Sequence, residues 1–319
     1  MLNSDRRTSS RTNKFPFAHT YSIVAYDPET GDLGAAVQSH WFSVGSLVSW
    51  AEAGVGVIAT QAIVNVSYGP NGLKLMGDGY TAQQTLDKLL EQDPQSSVRQ
   101  VAMIDAAGNV AAHTGSKCIA QAGYHTGKNY SVQANMMLND SIWGAMSEAY
   151  ENSTGLLAER MLAALEAAQA AGGDVRGQQS AAILIVSGKK YEQPWEGIQM
   201  DLRVEDHPMP IQELKRLVRL QQAYTLMNAA DNQIAKGHFS AATLSYEQAT
   251  AYAPEVIEIS FWRAVALAEI GRLDEAMPLF RNVFEQDPQW GKLLQRLPDA
   301  DLFTDNPAIM KKILNLLTE

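Results

Sequence analysis

From residue 20 onward, apolar side chains come in short, nearly continuous runs broken by turn-forming residues: TYSIVAY, then DPETGD, then LGAAVQS, and later AEAGVGVIATQA over 51–62. Such runs, bounded by Gly, Pro, Asp and Thr, read as strands, and the first two form a hairpin. A turn centred between Glu29 and Thr30 makes paired positions sum to about 59, which sets Thr20 beside Ser39 and His40. GYTAQQTLDKLLEQDP (79–94) predicts a helix, with Thr81 as its N-cap and Pro94 as its stop. A second hairpin is expected over 98–115 around Ala107-Gly108, and a strand over 130–138. Residues 141–173 predict two helices, the second closed by Gly172-Gly173. Strands return at 180–188 and 197–206. The apolar runs are too continuous for a sheet with one wet face, so the pattern predicts an α+β fold whose sheets are covered on both sides.

After His207-Pro208-Met209-Pro210 the pattern becomes helical throughout. Gly237 and Gly271, Ala242 and Ala276, Tyr246 and Phe280, and Pro254 and Pro288 recur at one fixed spacing of about 34 residues. This resembles tetratricopeptide repeats: a small residue where helices cross, an aromatic filling the gap and a proline ending the second helix. About two repeats fit, flanked by helices at 211–231 and 306–318. Such a unit serves as a helical cap or dimer contact, or as a groove for a peptide or protein partner. The chain thus divides into a leader (1–18), an α+β domain (19–207) and an all-α repeat domain (208–319).

Composition narrows the classes. With 46% hydrophobic and 19% charged residues in 319, the chain can bury a sizeable core. It has no run of about 18 apolar residues and no apolar secretory stretch, so neither a membrane span nor export is expected, and the default location is cytoplasmic. The single cysteine, Cys118, excludes an intramolecular disulfide, and no Cys/His pair has zinc-ligand spacing, so no metal is expected. The net charge of −10 is concentrated in residues 19–207, which carry ten basic and twenty acidic side chains. That balance disfavours nucleic acid, whose phosphates need Lys and Arg. The leader MLNSDRRTSSRTNKFPFA is basic and rich in Ser and Thr, compatible with a flexible tail, a targeting remnant or a misassigned start.

Most familiar chemistry is missing. There is no GxSxG elbow, and AGVGVIA lacks both the Lys-Ser/Thr of a P-loop and the third glycine of a dinucleotide fingerprint. Gly54 and Gly56 read as close-packing glycines. Cys118 beside Lys117 is either an activated thiol or a small buried hydrophobe. Among the histidines, His113 ends a strand and His40 lies near Thr20 by register, while His125 and His238 need only surface or packing roles. Asn135, in an apolar strand, either satisfies backbone groups or donates to an oxyanion. Thr20 needs no triad if it becomes the first residue of a mature chain, because its own α-amine then takes the hydroxyl proton. The leader would in that case be a propeptide.

Six blocks, HTYSIVAYDPETGDLGAAVQS, AGVGVIATQAIVN, DAAGNVAAHTG, QANMM, AERMLAALEAAQAAGGDVRGQQSAAILIV and MDLRVEDHP, resemble, in order, the domain-of-unknown-function family ten twenty-eight. The likeness spans residues 19 to about 210. That family is similar to the N-terminal nucleophile (Ntn) hydrolases, so the resemblance implies a four-layer α-β-β-α sandwich. Members often begin Met-Thr-aromatic-Ser, so loss of Met would expose the threonine matching Thr20; here His19 and the leader precede it. The resemblance implies Thr20 as nucleophile, with Ser22, His40, Gln61, Asn65, His113, Thr114, Asn135, Arg176 and Gln179 as pocket residues. Within that set Asn135 is expected as an oxyanion donor, His113 or His40 as a polariser, and Arg176 as an anchor for a substrate carboxylate. Asp174 and Asp201 would orient these; alternatively Asp174 caps a turn and Arg176 pairs with Asp201. The expectation is an amide-bond hydrolase acting on a small amide or amino-acid derivative through an acyl-threonine ester, without a cofactor and as a homo-oligomer. The alternatives are a non-catalytic ligand-binding or scaffold protein, or one that only supports assembly.

Overall fold

The computed structural model describes residues 17–318, so of the leader only Phe17 and Ala18 fall within it. These two residues form strand β1 (Phe17–Ala18), followed after His19 by β2 (Thr20–Tyr26) and β3 (Leu33–Ser39). β2 and β3 pair antiparallel with Thr20 opposite Ser39, the register expected from the turn position. After a short helix α1 (Gly45–Val48), the run 51–62 is not a single strand. It belongs to two, β4 (Ser49–Glu52) and β5 (Gly56–Ile63), which fold back on each other. The turn between them has Gly54 at φ +70°, where an added Cβ would come within 2.5 Å of the Lys190 backbone nitrogen. The glycine is therefore demanded by both backbone conformation and close approach.

Helix α2 (Tyr68–Gly77) has no counterpart among the expected elements, since Gly, Pro and Asn follow the first residue of YGPNGLKLMG. Packing supplies the reason for its glycines: a Cβ on Gly69 would lie 2.3 Å from the Trp50 ring, and one on Gly72 2.4 Å from Ile58. Helix α3 (Ala82–Gln92) begins as expected at Thr81, whose hydroxyl accepts from Gln84 N while the Gln84 side chain accepts from Thr81 N. Then come β6 (Arg99–Asp105), β7 (Val110–Thr114), β8 (Gly123–Gly127) and β9 (Tyr130–Ala134). β8, GYHTG, lacks an apolar run and was missed; it is an edge strand. The expected 130–138 strand stops at Ala134, just before Met136 adopts φ +61°. Helices α4 (Ile142–Asn152) and α5 (Leu157–Ala170) and strands β10 (Ser180–Val186) and β11 (Ile198–Val204) complete this part.

Two antiparallel sheets result. One runs β1-β5-β6-β7 with β4 also on β5; the other runs β11-β10-β3-β2-β9-β8. They meet face to face, and an apolar cluster including Ala18, Val24, Val37, Val57, Ala59 and Ile104 lies between them. Helices α2 and α3 pack on the first sheet, with Ile58, Val101 and Met103 facing Tyr68, Leu86 and Leu89. Helices α4 and α5 pack on the second. Both faces of β2, β3 and β5 are thus dry, which is why their sequences are apolar without alternation.

The chain divides into two compact units between Lys215 and Arg216. That division falls inside helix α6 (Pro210–Ala235), whose Ile211 and Leu214 are buried. The second unit continues with α7 (Phe239–Tyr252), α8 (Ile257–Glu269), α9 (Leu273–Gln286), α10 (Gln289–Leu294) and α11 (Pro307–Leu314). Residues at the recurrent spacing occupy matching places. Gly237 and Gly271 precede α7 and α9 with φ +76° and +82°, and Ala242, Ala276, Tyr246 and Phe280 are all buried. No helix among the described residues is long and apolar enough to cross a membrane.

Candidate active site around Thr20

On β2, Thr20, Ser22 and Val24 share the face turned toward the other sheet, because side chains alternate along a strand. Register then decides the neighbours. Ser22 is opposite Gln133 on β9, and Gln61 is opposite Gln100 across β5 and β6. These two cross-strand pairs meet between the sheets and form a continuous buried polar chain. Gln133 Nε2 donates to Ser22 Oγ (2.6 Å), which donates to Gln61 Oε1 (2.6 Å). Gln61 Nε2 donates to Gln100 Oε1 (2.7 Å), which also accepts from Asn135 Nδ2 (2.9 Å). Gln100 Nε2 reaches Thr114 Oγ1 (2.7 Å) and the Ala134 carbonyl (2.9 Å). Each amide is satisfied on both sides, as burial demands.

The network ends on the backbone around Thr20. The Thr20 carbonyl accepts from Asn135 N (3.1 Å) and Gln61 Nε2 (3.2 Å). One residue earlier, the His19 carbonyl accepts from Ser39 Oγ (2.6 Å) and Arg176 Nη2 (2.8 Å). Arg176 is held by Asp174, through Nε to Oδ1 (3.0 Å) and Nη2 to Oδ2 (2.6 Å). Asp174 is 0% exposed and Arg176 27%. The Thr20 hydroxyl donates to the Ala18 carbonyl at 2.7 Å, and Thr20 itself has no accessible surface. His19 is also buried, its Nδ1 bonded to Asn135 Oδ1 at 2.7 Å; burial lowers its pKa from the ordinary 6.5.

Two left-handed residues flank this network: Ala62, after Gln61, at φ +72°, and Met136, after Asn135, at φ +61°. Neither is glycine, and each conformation costs about 1–3 kcal/mol that the surrounding packing must offset.

The structure brings Thr20, Ser22, Gln61, Asn135, Thr114 and Arg176 into this one assembly. Asn135 turns its NH2 group toward Gln100, and Arg176 pairs with Asp174; Asp201 pairs instead with Arg203. The remaining residues are hydrogen-bonded to groups other than Thr20. His40 Nδ1 contacts the Gln178 carbonyl at 3.3 Å, and its backbone N donates to Asp174. His113 Nε2 contacts the Ser96 carbonyl, and Gln179 Nε2 reaches Asp206. Asn65 binds Ser67 and lines a separate open pocket of about 420 Å³ with Tyr68, Asp93 and Arg99. Cys118 donates to the Arg99 carbonyl, and burial raises its pKa, the behaviour of a packing thiol.

Sequence reasoning places Ser39 and His19 next to Thr20 without giving either a role, and it misses Gln100 and Gln133. A signal existed for the glutamines: each is a lone amide within an apolar strand, RQVAMID and YSVQA. Among the described residues no group of three or more His, Cys, Asp or Glu gathers as a metal site.

Comparison with known proteins adds a boundary and an assignment. Eight solved chains match. One is the crystal structure of protein SPO2555 from Silicibacter pomeroyi, family-model DUF1028, at 34% identity and a TM-score of 0.57, covering 63% of this chain and 85% of that one. No curated protein matches the chain. The model of the Family of unknown function (DUF1028) matches residues 20–214, beginning at Thr20 itself. With well over half of its residues inside that match, the chain belongs to the family of unknown function DUF1028.

Proposed function

We propose that the chain is an amide-bond hydrolase of the N-terminal nucleophile type, with Thr20 as its nucleophile. The observation that carries this reading is the His19 carbonyl, held by Ser39 Oγ and the Arg176 guanidinium immediately before a threonine on an inner strand. Two donors on one peptide oxygen, one of them cationic, are what an acyl transfer needs at the atom that gains negative charge. The helix-sheet-sheet-helix layering and the start of the family match at Thr20 support the same reading.

In this reading Thr20 Oγ attacks the His19 carbonyl carbon. A C–O ester bond forms, the His19–Thr20 C–N bond breaks, and the hydroxyl proton ends on the departing nitrogen. Water then hydrolyses the ester, releasing a leader with a His19 carboxylate and leaving Thr20 with a free α-amine. That amine, with a reference pKa of about 8, accepts the Oγ proton when the mature enzyme attacks an external amide. An acyl-threonine ester forms and the substrate's amine leaves. The helical unit is read as tetratricopeptide-like, a cap or partner-binding surface, on the matching buried positions of its two repeats.

A second reading is a non-catalytic member of the same fold. It is favoured by the fully buried Thr20, whose hydroxyl is spent on the Ala18 carbonyl while the chain is uncut. Intact mass and N-terminal sequencing of purified protein separate the two. A chain beginning at Thr20, with Thr20→Ala retaining the leader, supports the hydrolase. Full-length wild-type protein that stays uncut under native conditions sinks it.

A further inference from the structure

The residues before Thr20 occupy a defined lane. β1 runs antiparallel to the end of β5, with Phe17 opposite Ile63 and Ala18 opposite Ala62. Ala18 has no exposed surface and belongs to the apolar cluster between the sheets. The next side chain, His19, is bonded by Asn135, and its carbonyl is received by Ser39 and Arg176. This is how a peptide binds by strand addition: main-chain pairing holds it, and side-chain slots select it.

We infer that this lane on β5 is the site for the acyl half of the substrate, and that the substrate is a peptide amide in extended form. The residue bearing the attacked carbonyl sits where His19 now lies, with a hydrogen-bonding side chain, and the residue before it must be small. This rests on the hydrolase reading and narrows its substrate class. Three features argue for reuse of the lane. The cationic carbonyl donor, Arg176, is fixed by Asp174 independently of the leader, so it persists after cleavage. Removal of residues 17–19 uncovers an unpaired stretch of β5 edge and a polar slot at Asn135, both of which a like-shaped group refills. Ala62, the residue opposite Ala18, holds its left-handed conformation at the point of docking. The released leader, ending in a His19 carboxylate, is then a product-like inhibitor, because Arg176 and Ser39 suit a carboxylate at least as well as a carbonyl.

The test uses the chain expressed with Thr20 directly after the initiator methionine, its fold checked by circular dichroism against full-length Thr20→Ala protein. A synthetic peptide of residues 14–19 with a free carboxylate is titrated calorimetrically. It is expected to bind the chain that starts at Thr20 and not the full-length Thr20→Ala protein, whose lane is filled. C-terminal amidation, or Ala18→Trp within the peptide, should each weaken binding by about tenfold or more. Absence of binding, or equal binding of the Ala18→Trp peptide, overturns the inference. The same peptide as its C-terminal anilide separates the two levels. Binding without turnover of this or any other amide defeats the hydrolase reading and leaves the lane as a peptide site. Turnover of other amides without peptide binding or competition defeats the lane alone. Should the shortened chain not fold, Ala18→Trp in the full-length Thr20→Ala protein gives the answer. Faster amide exchange in the β5 segment around Ala62 is expected, and unchanged exchange overturns the small-residue requirement.

Discussion

Arg176 Nη2 donates to the carbonyl oxygen of His19 at 2.8 Å while the same guanidinium grips Asp174. A cation anchored by a buried carboxylate thus rests on the peptide oxygen that precedes Thr20. The arrangement gives the first prediction. Arg176→Ala slows leader release by about 10²-fold, in the range found when a single oxyanion donor is removed. Arg176→Lys recovers only part of the rate, since an ammonium cannot hold Asp174 and the carbonyl with the same fork. A time course of intact mass after cell-free synthesis measures both; an unaltered rate for Arg176→Ala would remove the residue from this role.

The second prediction concerns the amide chain between the sheets. Gln100→Leu removes the acceptor used by Gln61 and Asn135 and the donor used by Thr114 and the Ala134 carbonyl. With several buried groups left unpaired, unfolding free energy should fall by about 2–4 kcal/mol. Urea denaturation followed by tryptophan fluorescence checks this, and a loss below about 0.5 kcal/mol would show that water or rearrangement replaces the glutamine.

The third follows from His19. Burial, the leading cause, lowers its pKa below the ordinary 6.5, so the native state binds fewer protons than the unfolded chain in the window just below 6.5. Stability of uncut Thr20→Ala protein is therefore fully present above that pH and declines as the pH falls toward the depressed native value. Histidine 19 accounts for this part of the slope, so His19→Asn, compared in the same background, should flatten the pH dependence. Denaturation midpoints between pH 7.5 and 5 read the effect, and parallel curves for the two proteins would contradict it.

The fourth prediction uses the repeat. Tyr246 donates from its hydroxyl to Asp231, whereas the matching Phe280 has no hydroxyl and packs equally deep. Tyr246→Phe should therefore keep the packing yet destabilise the helical unit by about 0.5–1.5 kcal/mol, because the hydrogen bond to the Asp231 carboxylate is lost. Thermal unfolding by circular dichroism tests this. Restoration by Asp231→Leu in the Tyr246→Phe background would show that the loss comes from the orphaned carboxylate.

Elements whose signals are local were legible in the chain. The β2–β3 register came from turn chemistry alone, α3 from Thr81 and Pro94, and the C-terminal helical region from the change of pattern past His207. Helix α2 was not, since its glycines are justified only by Trp50 and Ile58 across the layer, and the edge strand β8 carries no apolar period. Within the site, Thr20 beside Ser39 followed from register. The sequence leaves Arg176 open to Asp174 or Asp201, and the loop after α5 decides for Asp174.

The sequence by itself determined the α+β composition, the hairpin at Thr20, the change to an all-helical pattern past His207 and the strangeness of a polar leader before an inner strand. Tertiary structure alone decided which buried polar residues meet. Ser22 and Gln133 come from one sheet and Gln61 and Gln100 from the other, and nothing local in either strand encodes how two sheets face each other. It likewise decided that Arg176 reaches the His19 carbonyl, because that hydrogen bond spans 157 residues of chain and forms only once the loop after α5 is packed beside the start of β2.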